Sequence, residues 1–252
     1  MPKLSRAALL AALITACSAA PALADGKTGG TSAPGPGATT TTPVDDASLS
    51  GATDTTATGE QSGGVTLSVR GQVLLGRKVR FSGRVDRARE GQTISVQRRD
   101  SVGAWLEVTR ATTDSEGAWS VKWKARSAGS FPVRAVVARD PGSAGAAADQ
   151  ASQALTLTVY ESTKASTFYD RITACGIRLK RTTLGVANKT LPCGTRVAFY
   201  YNGRSITVPV VDRGPYRRGF SWDLTEATAS KLGFEGIGTV GSLVLGPGTA
   251  VR

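Results

Sequence analysis

The stretch RVAFYYNGRSITVPVV, Arg196 to Val211, has two runs of alternating residues on either side of Asn202 and Gly203. Asn-Gly is a preferred pair for a two-residue type I′ turn, so the stretch predicts a β-hairpin. Pro209 has no backbone N–H to donate, which indicates an edge or a bulge in the second arm. The hairpin marks the C-terminal part of the chain as β-rich.

The residues that follow the hairpin complete a small β fold. SWDLTEATASKLGF predicts a short helix that begins after Asp223 or Thr225 and ends at Gly233. GTVGSLVLGPGTAVR predicts one or two closing strands. We therefore expect residues 162–252 to form a compact small barrel with one short helix.

Residues 65–161 alternate between apolar and polar residues in about seven short segments separated by turn sequences, with no helical period. This spacing predicts a β-sandwich of immunoglobulin-like type, without an inter-sheet disulfide because no cysteine lies here. Trp119, Val121 and Trp123 share one face, which favours a core role. The alternative is a sugar-stacking platform formed by Trp105, Trp119 and Trp123.

The N-terminal part is typical of an exported protein. Residues 1–24 have a basic start, a short apolar run and a small-x-small site at Ala22 to Ala24, as in a signal peptide. The residues before Cys17 also fit a lipoprotein signal, in which Cys17 would carry a lipid. Residues 25–64 are rich in Gly, Thr, Ser and Pro and predict a flexible linker.

The predicted export limits the partners that the net positive charge of the chain would attract. The net charge is +12 and the pI about 10.1, which points to a polyanionic environment. Outside the cytoplasm, nucleic acid is excluded as the expected partner and anionic wall polymers remain. The apolar run is too short for a permanent span, so we expect no transmembrane segment in the mature chain.

The cysteine count fits an oxidising compartment. Of three cysteines, Cys17 lies in the signal, which leaves Cys175 and Cys193 as a pair. A zinc site is the weaker alternative, because two thiols without histidine would need two carboxylates as further ligands, and the chain contains no histidine. We expect a disulfide, with no metal and no cofactor.

Five motifs occur in the order found in the rare lipoprotein A (RlpA) family: ASTFYD, TACG, LGVANKTLPCGTRV, VPVVDRGPYRRGFSWDLTEATASKLG and GIGTV. From about Ala165 to Val240 the chain resembles this family, whose fold is a double-psi β-barrel similar to that of barwin and expansins. The resemblance implies peptidoglycan as the ligand and, for some members, lytic transglycosylase activity. The N-terminal half lies outside it.

The resemblance also implies catalytic residues. The Asp of the D-R-G-P run is Asp212, while the position of the family's His is Asn188, and a neutral amide cannot shuttle a proton near pH 7. Carboxylates would then carry any activity: Asp212, Asp223 and Asp170. Each has a structural alternative, namely an ion pair of Asp212 with Arg213, a helix cap by Asp223, and a loop carboxylate at Asp170.

Substrate binding is predicted for residues of the same motifs, which are Asn188, Lys189, Tyr169, Arg213 and Tyr216. Cations would hold carboxylates or phosphates, and tyrosines would stack on sugar rings. The alternative is a solvated basic surface with packed tyrosines. Three functions follow: a lytic transglycosylase, a non-catalytic expansin-like glycan binder, or a structural adhesin or spacer.

Overall fold

The computed structural model describes residues 52–53, 56–62, 64–138 and 150–247. The predicted signal peptide, Cys17 and residues 25–51 of the predicted linker lie outside the described residues. The described residues belong to one compact unit, residues 45–252. Within them, no helix has the length and apolar character needed to cross a membrane.

All N-terminal strands but the first form two facing sheets, and the first pairs with a strand of the C-terminal part. Their bounds are β1 (Ala52–Thr53), β2 (Thr56–Ser62), β3 (Val65–Arg70), β4 (Gln72–Leu74), β5 (Lys78–Arg84), β6 (Thr93–Arg99), β7 (Trp105–Thr112), β8 (Ala118–Lys124), β9 (Gly129–Val137) and β10 (Leu155–Phe168). One sheet has the order β2-β3-β5-β8, and the other runs β4-β10-β9-β6-β7. Between them lies a core that includes Leu67, Phe81, Ile94, Trp119 and Leu157.

These sheets confirm the predicted all-β architecture, and alternate residues of β3 and of the first part of β5 are buried as the sequence pattern requires. Trp119 is in the core and Trp123 packs against it, as the shared face of β8 predicts. The immunoglobulin-like assignment stays a prediction. The segment predicted as linker contains β1 and β2, where threonine, a β-branched residue, favours pairing with a neighbouring strand.

Strand β10 runs through both halves of the unit. Its first part pairs with β9 and β4, and its second part pairs with β14 (Trp222–Thr225) and β15 (Gly238–Pro247). The predicted domain boundary between residues 161 and 162 falls inside this strand. Tyr160 of β10 stacks on Tyr200 with ring centroids 5.4 Å apart. A Cβ at Gly241 would lie 2.9 Å from the Tyr160 Cβ, so the backbones approach closely here.

The C-terminal strands close into a six-stranded barrel. The remaining elements are β11 (Val186–Ala187), β12 (Thr195–Tyr201), β13 (Arg204–Asp212) and the helix α1 (Glu226–Leu232). Strand order is β10-β14-β11-β13-β12-β15, and β15 pairs with β10 to complete the circle. The barrel interior is filled by Val197, Phe199, Val210, Leu224 and Val240. The barrel with one short helix confirms the predicted fold class.

Local features follow the sequence signals. Asn202 and Gly203 have φ values of 46° and 82°, as a type I′ turn between β12 and β13 requires. Thr225 caps the helix and Gly233 ends it in the left-handed conformation. β13 is an interior strand, so the irregularity after Pro209 is a bulge rather than an edge.

Cys175 and Cys193 form the predicted disulfide, with their Cα atoms 5.9 Å apart. The bridge joins the segment between β10 and β11 to the loop that precedes β12. Both segments lead to the barrel end where β13 stops, so the disulfide lies beside the candidate site.

Candidate functional site

Asp212 and Asp223 lie on the two strands that flank β11. Ala187 of β11 pairs with Asp212 of β13 on one side and with Asp223 of β14 on the other. Asp223 in turn pairs with Ser166 of β10. Since adjacent strands are ~4.8 Å apart, the backbones at the two aspartates are about 10 Å apart, with Ala187 between them. Residues in register share one face of a sheet, so the carboxylates face the same side of the barrel wall.

Asp212 reaches this row because β13 has one additional residue. Val186 pairs with Val210, but the next residue of β11, Ala187, pairs with Asp212 rather than with Val211. A bulge of this kind redirects the side chain beside it. The bulge therefore places Asp212, and not Val211, opposite Ala187.

The Asp212 carboxylate is buried and held at one oxygen. Its Oδ1 accepts hydrogen bonds from the backbone N–H groups of Ala174 and Arg213, both at 2.7 Å. Ala174 directly precedes Cys175, so the disulfide-bridged segment supplies one of these two donors. In the described part of the chain, Oδ2 has no hydrogen-bond partner. One oxygen is fixed and the other is available to a ligand.

Asp223 is half-buried and is also held at one oxygen. The Ser166 hydroxyl donates to its Oδ1. A Cβ at Gly214 would lie 3.6 Å from the other oxygen, Oδ2, so the glycine leaves the space beside this oxygen open. The helix begins at Thr225, whose side chain accepts from the N–H of Thr228. Asp223 is therefore not the helix cap, and this structural alternative is set aside.

The Asn188 side chain fastens a loop. Its Oδ1 accepts from the N–H groups of Thr190 at 3.1 Å and Leu191 at 2.9 Å, and its Nδ2 donates to the Ser221 carbonyl at 3.1 Å. Both acceptor positions of the amide oxygen are thereby used. The Asn188 backbone N–H also donates to the Asp212 carbonyl at 3.1 Å. In the structure, Asn188 acts as a clamp that holds the loop beside Asp212. Its predicted contact with substrate stays a prediction.

Arg213 holds the same loop from the other side. Its guanidinium donates to the Leu191 carbonyl at 2.9 Å and to Cys193 Sγ at 3.3 Å. Within the described ranges it contacts no carboxylate, so the ion pair between Asp212 and Arg213 that the sequence left open does not form. Arg213 instead ties the turn after Asp212 to the loop that carries the disulfide.

Asp170 lies in an exposed loop after β10. Its Oδ1 accepts from the N–H of Arg171 at 2.7 Å, the bond expected of a loop carboxylate. Tyr169 is 46% exposed, and the Arg181 guanidinium lies 5.0 Å from the centre of its ring. No described contact joins Asp170 to Asp212 or to Asp223, so the catalytic role predicted for Asp170 stays a prediction.

The other predicted binding residues lie on the surface. Tyr216 is 85% exposed and follows the Gly-Pro pair of the D-R-G-P run. Lys189 is exposed on the loop that Asn188 clamps. Neither has a described side-chain contact that would tie it down, so both side chains are free to contact a ligand. Their roles in binding stay predictions.

Two residues that the sequence did not single out, Ser166 and Ala187, complete the row, and a third, Gly214, lies beside Asp223. The strand register places Ser166 and Ala187 beside Asp223, and the sequence carries no local signal for this register. Gly214 lies inside a quoted motif, and a Gly-Pro pair is a known turn signal. Among the described residues, no group of three or more His, Cys, Asp or Glu side chains could hold a metal ion.

Comparisons with known proteins define the class of this barrel. Residues 161–242 match a family model described as a lytic transglycolase, of the double-psi β-barrel type. The match begins within β10 and ends within β15, and so spans the closed barrel. It covers about a third of the chain.

The relatives are RlpA proteins. The probable endolytic peptidoglycan transglycosylase RlpA of Aquifex aeolicus is 46% identical over 76 residues, which cover 29% of this chain and 34% of the relative. The endolytic peptidoglycan transglycosylase RlpA of Neisseria meningitidis serogroup A is 40% identical over 74 residues, which cover 29% and 31%. The C-terminal part of the chain is thus an RlpA-like double-psi β-barrel, and the resemblance found in the sequence is confirmed.

The likeness is confined to the barrel. A third relative, the probable RlpA of Synechocystis, is 40% identical over 80 residues, which cover 31% of this chain and 25% of the relative. The aligned part thus spans a quarter to a third of the length of these relatives. Among solved structures, Streptomyces papain inhibitor (SPI) is similar, with 29% identity, a TM-score of 0.27, and coverage of 32% of this chain and 92% of that one.

Proposed function

We propose that the protein is an exported cell-wall protein whose barrel binds peptidoglycan glycan strands. The observation that carries the proposal is the row Ser166–Asp223–Ala187–Asp212, in which each carboxylate is held at one oxygen and has the other available. The names of the RlpA relatives, which are peptidoglycan transglycosylases, support the substrate class. Extracytoplasmic location follows from that substrate and from the predicted signal peptide.

The leading hypothesis is that the row catalyses lytic transglycosylation. In this reaction the bond between C1 of N-acetylmuramic acid and the glycosidic oxygen breaks, and the C6 hydroxyl oxygen forms a new bond to C1. One carboxyl group suffices for the protons: it gives its proton to the leaving oxygen and then takes the proton of the C6 hydroxyl. No water is consumed, and the carboxyl group returns to its starting state.

Asp212 and Asp223 have different kinds of hydrogen-bond partner, which favours a different catalytic role for each. A backbone N–H can only donate, so Asp212 Oδ1 is held as an acceptor by Ala174 and Arg213. A hydroxyl can donate or accept, so Ser166 remains a partner of Asp223 in either protonation state. We therefore assign the proton transfers to Asp223, and to Asp212 the stabilisation of positive charge that develops at C1.

The second candidate is a non-catalytic, expansin-like glycan binder. It is favoured by Asn188, which occupies the position of the family's histidine and whose amide is occupied in clamping a loop. The chain has no histidine elsewhere. If the reaction requires an imidazole, this barrel binds glycan without cutting it.

Digestion of purified glycan strands, with and without stem peptides, distinguishes the two candidates. Mass spectrometry would detect 1,6-anhydromuramyl ends, and co-sedimentation would measure binding. We expect new ends with the wild type, none with Asp223→Asn, and unchanged release with Glu161→Gln, a matched change of an exposed carboxylate on β10. Binding without new ends would refute catalysis and favour the binder. Absence of both would refute the proposal.

A further inference from the structure

The outer face of the sheet β2-β3-β5-β8 carries cations directly opposite one another. Lys78 of β5 pairs with Lys124 of β8, and Arg80 pairs with Lys122. All four side chains are exposed, because the residues that alternate with them are directed into the core. Like charges in directly opposed positions destabilise a sheet. These four residues, the basic face, thus have an arrangement that folding alone does not favour.

Within the described ranges, no carboxylate is paired with the basic face. Among the described residues, none of its four side chains forms an ion pair. The neighbouring ion pair, Arg84 with Glu116 at 3.0 Å, lies at the other end of β5. The face therefore presents an uncompensated positive field to solvent, which attracts polyanions.

A recess of about 470 Å³ adjoins this face. Two residues of the basic face, Lys78 and Arg80, line it together with Arg70 and Arg77, and it extends to Gln72 and to Tyr200 of the barrel. A ligand in the recess would thus meet the exposed cations Arg77, Lys78 and Arg80. The recess lies between the β2-β3-β5-β8 sheet and β12, away from the row that contains Asp212 and Asp223.

Gln72 adds a neutral recognition group to the recess. Its Nε2 donates to the Ser205 hydroxyl at 2.8 Å, but its Oε1 is buried and has no hydrogen-bond partner in the described part of the chain. A buried acceptor without a partner is unfavourable, and such groups are usually satisfied by water or by a ligand. A hydroxyl group of a ligand would satisfy this oxygen.

We propose that the basic face and its recess bind a linear polyanion whose repeating units carry hydroxyl groups, such as a polyol joined by phosphodiesters. Along a strand the cations recur about every 7 Å, and across strands they lie ~5 Å apart, so a polymer with repeated charges can engage several at once. A single anion would meet one or two of them. This site is separate from the barrel row and extends the proposed function to a second wall component.

Charge variants of the full chain test the site. The double variant Arg80→Gln/Lys122→Gln removes one opposed pair, and Arg87→Gln/Arg89→Gln removes two exposed cations from the loop between β5 and β6 as a matched control. Binding of a labelled poly(glycerol phosphate) oligomer would be followed by fluorescence anisotropy at several salt concentrations.

We expect the face variant to bind on the order of tenfold more weakly, with a shallower dependence on salt, while the control stays within about twofold of the wild type. We also expect the face variant to unfold at a higher temperature, because a repulsive pair is gone. Equal losses in the two variants would show that net charge alone is responsible and would overturn the site. So would unaltered binding by the face variant.

Two further comparisons test the class of polymer. Wild-type protein should bind poly(glycerol phosphate) more tightly than linear polyphosphate of equal charge, and Gln72→Leu should reduce this preference several-fold. Equal affinity of the wild type for the two polymers would overturn the part assigned to the hydroxyl group. Tighter binding of single-stranded DNA of equal charge would identify a nucleic-acid surface instead and would overturn the proposed ligand.

Discussion

Replacing Asn188 by alanine tests whether its amide is a structural clamp. The substitution removes two acceptor contacts, to the N–H groups of Thr190 and Leu191, and one donor contact to the Ser221 carbonyl. Each hydrogen bond contributes about 1 kcal/mol net. Asn188 is half-buried, so water compensates part of the loss. We therefore expect a decrease of about 2 kcal/mol in the free energy of unfolding.

The assay is thermal unfolding combined with hydrogen exchange. For a unit of this size, 1 kcal/mol corresponds to about 2–4 °C, so the Tm of Asn188→Ala should fall by about 4–8 °C. Amide exchange should become faster at Thr190 and Leu191, which lose their acceptor. Asn188→Asp is the matched variant: it keeps the acceptors and loses the donor contact, so we expect about half the effect. An unchanged Tm with unchanged exchange would refute the clamp.

The same reasoning predicts the outcome of restoring the family's histidine. A neutral imidazole has one acceptor nitrogen, which cannot satisfy the N–H groups of both Thr190 and Leu191. We expect Asn188→His to be destabilised to a degree similar to Asn188→Ala and to gain no transglycosylase activity. A folded Asn188→His protein that releases 1,6-anhydro ends where the wild type releases none, or releases them clearly faster than the wild type, would contradict this and identify position 188 as a lost catalytic site.

Three further predictions concern stability and the site. Gly214→Ala should lower both stability and glycan binding, because φ at 214 is +132° and the new methyl group would lie 3.6 Å from Asp223 Oδ2 and 3.9 Å from Ala187 Cβ; paired melting and co-sedimentation measurements check it. Cys175→Ser/Cys193→Ser should cost about 3 kcal/mol in urea unfolding, for a loop whose cysteines are 18 residues apart. The Ser95 hydroxyl, together with Arg110, lowers the pKa of Glu107, so Ser95→Ala should raise that pKa in an NMR titration. Because a lowered pKa stabilises the fold above the carboxyl group's unfolded value, this contribution should be present at pH 7 and be lost as the pH falls below about 4.

Local signals in the sequence predicted most of the barrel. Asn202-Gly203 forms the turn that its dihedral preference requires, and Gly233 ends the helix in the left-handed conformation. These features depend on a few adjacent residues, and so they can be inferred without knowledge of the fold. The continuity of β10 could not be inferred, because the pattern from Leu155 to Phe168 does not show where one set of neighbouring strands ends and another begins.

The candidate site was predicted in part. Motif positions identified Asp212 and Asp223, but their pairing across Ala187 depends on the bulge in β13 and on strand register. Such pairings join residues distant in sequence, for which alternation gives no information. The same limit explains Asn188: its amide was predicted to contact substrate, whereas the bonds to Leu191 and to other backbone groups form only when the loop folds over it.

The continuity of β10 connects the site to the N-terminal sheets. Ser166, the partner of Asp223, lies six residues after Tyr160 on one unbroken strand. Tyr160 is held by pairing with β4 and by stacking on Tyr200 of the barrel. Gly241 permits the close approach of these segments, since any side chain there would collide with Leu74 and Tyr160. The position of the serine hydroxyl beside Asp223 is therefore fixed by contacts from both halves. A barrel that began at residue 162 would lose those on one side, so the N-terminal sheets contribute to the placement of the row that contains Asp212 and Asp223.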